Sequence, residues 1–331
     1  MEQKAHKRRT ATTATLLAAV VTAALAAGCT GGGGPVDDGR GQLRTPTPSQ
    51  SDSGSPRPSA AAPSALAVKI DNVRAARPQT GLDSADVVYA EQVEGGLSRL
   101  MAVYATKLPE VIGPVRSARV SDLELLRQFD RPVFAFSGAQ GKLIPLINKE
   151  PLDVQTPGKV SGAFFRGSGK SAPHNLYLRP NRLLPSAPGA DALTTGFRYG
   201  APPAGGERET SRTVRYPAAR FTFSWSADQG RWLVAMDGTP TVTTDGKRVA
   251  AATVVVQHVK IRESVFHDSL GNNTPYTETI GSGKAEVLRG GRAYDVNWKR
   301  EKATDGTEFT TADGTPVNFA KGQVWVVFTK A

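Results

Sequence analysis

Four Asp-Gly dipeptides, Asp237-Gly238, Asp245-Gly246, Asp305-Gly306 and Asp313-Gly314, punctuate the last third of this 331-residue chain. Asp-Gly readily supplies the positive φ angles of a two-residue hairpin turn, so the runs it separates are expected to pair as antiparallel neighbours. Those runs are strand-like: 221–225, 231–236, 239–243, 249–261, 285–288, 292–298 and 323–328. Gly290-Gly291 adds another tight turn. Val324-Trp325-Val326-Val327-Phe328 is apolar at every position, which predicts a central strand buried on both faces. Residues 205–331 therefore read as a β-rich domain.

The preceding stretch has a different rhythm. Strand-like runs at 66–70, 86–93, 100–106 and 132–136 are interleaved with helical patterns at 121–129, around 141–148, and over 179–193. This predicts an α+β, mixed α/β domain over 65–204, joined to the second by a polar, Pro/Gly-rich segment. About 265 residues exceed what one core ordinarily serves, so two domains are expected.

The N-terminus carries an address. Lys4, Lys7, Arg8 and Arg9 precede an alanine-rich apolar stretch from Ala11 to Ala27, the pattern of a signal peptide over 1–28. Leu25-Ala26-Ala27-Gly28-Cys29 resembles the lipobox of bacterial lipoproteins, with Ala26 where leucine is commonest. The resemblance implies cleavage before Cys29, lipidation of its sulfur, and anchoring to the extracytoplasmic face of the cell membrane. Residues 29–64 are rich in Gly, Pro and Ser and form a disordered tether. Cys29 is the only cysteine, so a lipidated sulfur leaves no disulfide, cysteine-ligated zinc or thiol nucleophile. The signal residues account for three of the formal +11 charges, leaving +8 on the exported part. Outside the cell such a surface suits peptidoglycan, an anionic wall polymer, anionic lipid or an envelope protein rather than nucleic acid; an arginine-rich genome accounts for the same excess.

Gly113-Pro114-Val115-Arg116-Ser117-Ala118-Arg119 sets two arginines at the mouth of a helix that Ser121 and Glu124 are placed to cap. Cations are unfavourable beside helix N-terminal amides, so Arg116 and Arg119 need an anion. One arrangement gathers Arg77, Arg99, Arg116, Arg119 and Lys170 around a ligand, with Asn72, Gln79 and Asn175 as neutral partners and Asp71, Glu94 and His174 beside them. The other pairs Asp71, Glu91, Glu94 and Asp122 with these arginines inside the protein. Both remain open. Glu91, Glu94 and His174 are the candidates for hydrolysis or group transfer, but no Gly-x-Ser-x-Gly elbow supplies a nucleophile, and residues three apart on a strand face opposite ways. Gly167-Ser168-Gly169-Lys170-Ser171 fails as a phosphate loop because Phe164 stands where its first glycine belongs. His258, His267 and Asp268 read as solvated strand-end groups rather than metal ligands, and Trp225, Trp232, Trp298 and Trp325 as core. No cofactor or metal is expected.

Several segments carry a family resemblance: Lys69-Ile70-Asp71-Asn72, Ala76-Arg77-Pro78-Gln79-Thr80-Gly81-Leu82, Ala85-Asp86-Val87-Val88-Tyr89, Glu94-Gly95-Gly96-Leu97-Ser98-Arg99, the 113–119 loop, and Ala172-Pro173-His174-Asn175-Leu176-Tyr177. Together with Gly281-Ser282-Gly283-Lys284-Ala285 and Lys321-Gly322-Gln323-Val324-Trp325, they resemble the YerB-type lipoproteins with their two-part DUF3048 domain. The chain departs from that pattern at Phe136-Ser137-Gly138-Ala139, where a histidine- and glycine-rich turn is expected. The resemblance implies an envelope location and a two-part architecture but no chemistry. The resulting expectation is a membrane-anchored, non-catalytic binding module using an arginine-lined site. A wall-modifying hydrolase or transferase using Glu91 or Glu94 with His174 is the alternative, and a purely structural scaffold is the third.

Overall fold

Apolar runs from opposite ends of the chain meet in one sheet. The structure, a computed structural model, describes residues 64–268 and 270–331; the leader, Cys29 and the tether up to residue 63 lie outside the described residues. The first strands are β1 (Leu66–Asp71), β2 (Val87–Gln92), β3 (Ser98–Tyr104), β4 (Val133–Ala135) and β5 (Asp153–Gln155). They run in the order β2-β3-β1-β4-β5, and the sheet continues past β2 through Val324–Lys330, Thr253–Val259, Gly281–Arg289, Arg292–Arg300 and Glu308–Thr310. The chain's last strand lies parallel to both β2 and Thr253–Val259, so the double-sided apolar run is the seam between the two parts. The division near residue 204 is one of sequence; the sheet passes through it, and the described residues belong to one compact unit.

A second antiparallel sheet, built on Ser211–Tyr216, Ala219–Ser226 and Arg231–Met236, covers one face of the first. Phe221 and Phe223 pack on Trp325, and the Tyr216 hydroxyl donates to the carbonyls of Ala90 and Phe328. Trp232, Trp298 and Trp325 are buried core residues, with Trp225 packed on Trp232. The opposite face buries Val87, Tyr89, Met101 and Val103 against Leu125, Leu126 and Phe129 of helix α1 (Val120–Leu126) and its extension.

The molecule is mostly β, with less helix than the sequence pattern suggests. Among the described residues α-helix is confined to α1 and the four-residue α2 (Ile144–Ile147). The pattern over 179–193 forms only two 3₁₀ turns, Pro180–Arg182 and Ala190–Ala192, because Pro180, Pro185 and Pro188 remove the N–H donors that a helix needs. The run 249–261 changes sheets midway: Ala251 pairs with Trp232 in the second sheet, and from Thr253 the chain pairs with Val324 in the first. Asp237-Gly238 and Gly290-Gly291 make the expected hairpins, with positive φ at all four residues. Asp305-Gly306 does not; Gly306 is instead a close backbone approach, where a Cβ would lie 2.3 Å from the Gly196 nitrogen.

Candidate functional site

Strand alternation decides where the charges go. Register aligns Lys69 with Met101 and Tyr89, and aligns Asp71 with Arg99 and Glu91. Odd-numbered residues of β1, β2 and β3 therefore share the face that carries α1. That face is apolar until its last rows, where Lys69, Asp71, Arg99 and Glu91 follow one another.

Lys69 is fully buried and forms ion pairs with Glu91 and with Asp122, the latter at 2.6 Å. Burial draws its ammonium down to about 8, against the raising pull of Asp122. Asp122 also accepts the Arg119 backbone N–H at 2.6 Å, so it caps α1. The capping box expected from Ser121 and Glu124 is not formed. Ser121 accepts the Thr277 N–H, while Glu124 accepts from Tyr276, Thr279 and Ile280 and so fastens the strand Asn273–Thr277 and the segment after it to α1.

Beyond this triad opens a cleft of about 610 Å³, where Arg99, Arg116 and Arg119 meet Asp71 and Glu94. Arg119 is committed: it reaches Glu94 at 2.5 and 2.8 Å through two nitrogens. Burial pushes the Glu94 carboxyl up, but the hydrogen bonds and charge of Arg119, with a hydrogen bond from Thr274, hold it below the usual carboxylate range. Asp71 is shared, its Oδ2 lying 2.8 Å from His174 Nδ1 and 3.3 Å from Arg116 Nε. The Arg116 Nη groups have no protein acceptor among the described residues. Among the described residues Arg99 has no carboxylate within 4 Å and donates only to the Ser117 carbonyl, at 3.2 Å. Burial, reinforced by the like charges of Arg119 and Arg116, brings its guanidinium down to about 10 despite Glu94 and Asp71. The 136–139 turn supports this loop: the Ser137 N–H donates to Arg116 O, and the Ala118 N–H donates to Gly138 O, both at 2.9 Å.

The remaining candidates are engaged by other groups of the protein. Asn72 accepts from Arg77 at 3.2 Å and Gln79 at 2.8 Å and donates to Ser98. Arg77 turns away from the cleft to Asp237 at 2.9 Å. Lys170 bonds Pro78 O and the Tyr177 hydroxyl, and Asn175 joins Arg166 to Gly167 O. Glu91 is buried on Lys69 rather than beside Glu94 in the cleft. His267 lines the cleft, and among the described residues no cluster of three metal-ligating side chains occurs. The sequence reading missed Lys69, although a lysine inside Leu66-Ala67-Val68-Lys69-Ile70 is a sign of a buried charge awaiting a partner. It also missed Phe266 and Thr274, which reach the cleft on a distant hairpin.

Residues 53–193 match the family model described as the N-terminal domain of a protein of unknown function (DUF3048), and residues 212–326 match its C-terminal domain. YerB of Bacillus subtilis (strain 168), which is named as a lipoprotein, is 24% identical over 278 residues, covering 79% of this chain and 80% of that protein. The crystal structure of YerB from Bacillus subtilis superposes with a TM-score of 0.67 at 20% identity, over 81% of this chain and 91% of that one, which shows the shared fold. With both family models matched in chain order, the chain belongs to the DUF3048 family of YerB-type proteins.

Proposed function

We propose that this protein is an envelope lipoprotein held at the extracytoplasmic face of the membrane through Cys29. It acts as a non-catalytic binding module that takes an anionic group of a wall component or envelope protein into the arginine cleft. The observation that carries the reading is the imbalance of partners: Arg119 is saturated by Glu94, whereas among the described residues Arg99 faces the cleft with only the Ser117 carbonyl as acceptor and the Nη groups of Arg116 with none. Guanidinium forks in that state suit a carboxylate or phosphate bound by paired hydrogen bonds. The carboxylates favour binding over acid catalysis. Glu94 is held low by Arg119, and a general acid needs its proton near neutral pH.

The test uses the compact unit 58–331 and purified cell wall. The wild type is retained without releasing soluble fragments. Arg116→Ala, whose acidic partner among the described residues, Asp71, keeps His174, retains its thermal stability and loses about tenfold in retention. Equal retention by Arg116→Ala, or fragment release that vanishes in Glu94→Gln or His174→Ala, overturns the reading.

A further inference from the structure

The cleft does not end at Arg99. Val73, Leu97 and Ser98 line it and also line a second chamber of about 550 Å³, so the two adjoin as halves of one groove with these residues between them. Arg74, Arg215 and Arg220 line the second chamber and are exposed. Among the described residues none of the three has a carboxylate within 4 Å of its guanidinium. Asp237, the chamber's one acidic side chain, is taken by the Arg77 guanidinium and the Arg220 backbone N–H. The walls are fixed to each other, because the Ala218 N–H donates to Gly96 O at 2.9 Å and a Cβ on Gly96 would collide with Pro217.

Two clusters of guanidinium groups that keep donors free of carboxylates among the described residues, separated by the apolar side chains of Val73 and Leu97, call for anions joined by a short carbon linker. We infer that the groove binds a linear phosphodiester polymer of a polyol, with successive phosphates on Arg99 and Arg116 and on Arg74, Arg215 and Arg220. This inference rests on the arginine-cleft reading above and names its ligand class. Nucleic acid fits less well: Tyr216 and Phe266, the groove's aromatic residues, are buried and offer no open stacking platform.

The experiment measures binding of fragment 58–331 to glycerol 3-phosphate, to a polyglycerol phosphate of about ten repeats, and to a ten-residue oligothymidylate, each over a range of salt. The polymer is expected to bind about 100-fold tighter than the monomer and tighter than the oligonucleotide. Its affinity should fall steeply with salt, and the slope should shrink by about two in the Arg74→Gln/Arg215→Gln/Arg220→Gln variant. That variant loses the polymer's gain over the monomer, whereas Arg116→Ala weakens both. Monomer binding with no gain for the polymer overturns the extended groove and leaves the cleft reading standing. Failure of the monomer and the polymer overturns both. Equal or tighter oligonucleotide binding overturns the assigned polymer class.

Discussion

Replacing Lys69 by methionine tests the charge logic on which the cleft is built. The ammonium is fully buried between Glu91 and Asp122. Methionine has similar length, so the loss is electrostatic: two buried carboxylates are left facing each other without a cation. Removing one partner of such a group costs about 3–5 kcal/mol. The double change Lys69→Met/Glu91→Gln removes one of those anions and should recover part of the loss, since Asp122 keeps the Arg119 N–H. The pH dependence is a second signature. The folded Lys69 has its proton affinity lowered from 10.5 to about 8, so between these values the unfolded chain binds more protons. Stability then rises with pH, by at most about 1.4 kcal/mol per unit. Burial raises Tyr89, Tyr104 and Tyr216, which work in the opposite direction above about pH 10, so the clean window is pH 8 to 10. Urea unfolding of fragment 58–331, followed by fluorescence of the buried Trp232 and Trp325, reads both effects. A Lys69→Met variant within about 1 kcal/mol of wild type, or one with an unchanged slope in that window, refutes the reasoning.

Two further substitutions probe how the groove's walls are held. Gly95 and Gly96 both have positive φ, but only Gly96 lacks room for a Cβ, which would lie 2.5 Å from Pro217 Cβ. Gly95→Ala should cost about 1 kcal/mol and Gly96→Ala at least about 2 kcal/mol; equal losses in urea unfolding would show that the contact is not constraining. Tyr216→Phe removes the hydroxyl that serves two carbonyls across the sheets, and should cost about 1–2 kcal/mol in thermal unfolding, with the fold retained.

Much of the sheet was legible because short-range signals fix it. The strand-like run 100–106, the Asp237-Gly238 and Gly290-Gly291 turns and the fully apolar last strand each correspond to an observed element. What local sequence could not carry is the closure of that sheet. Nothing in Val324-Trp325-Val326-Val327-Phe328 specifies β2 as a neighbour more than 200 residues earlier, although its apolarity on both faces requires some pair of neighbours. The helical readings failed where prolines interrupt 179–193, and the capping reading failed because Glu124 satisfies N–H groups of a distant segment rather than its own helix. Site residues were legible by type but not by partner. The sequence offers Arg77, Arg99, Arg116 and Arg119 on similar terms, and only the tertiary arrangement gives Arg77 to Asp237 and Arg119 to Glu94.

That allocation of partners explains why a cation is left over at all. In strand register Arg99 lies between Asp71 and Glu91, the natural anions for it on either side. Each has been drawn elsewhere: Glu91 to Lys69 beneath the sheet's last row, and Asp71 to His174 and Arg116. Glu94, the next carboxylate along the chain, is held by Arg119. Each diversion requires a second charged residue, and the buried ones carry a desolvation cost that apolar packing would avoid. A fold selected for stability alone gains nothing from diverting three carboxylates to leave one half-buried guanidinium repelled by its neighbours. Under the proposed binding role an outside anion supplies what Asp71 and Glu91 do not, and Arg99 then serves as a recognition group rather than an unfinished salt bridge.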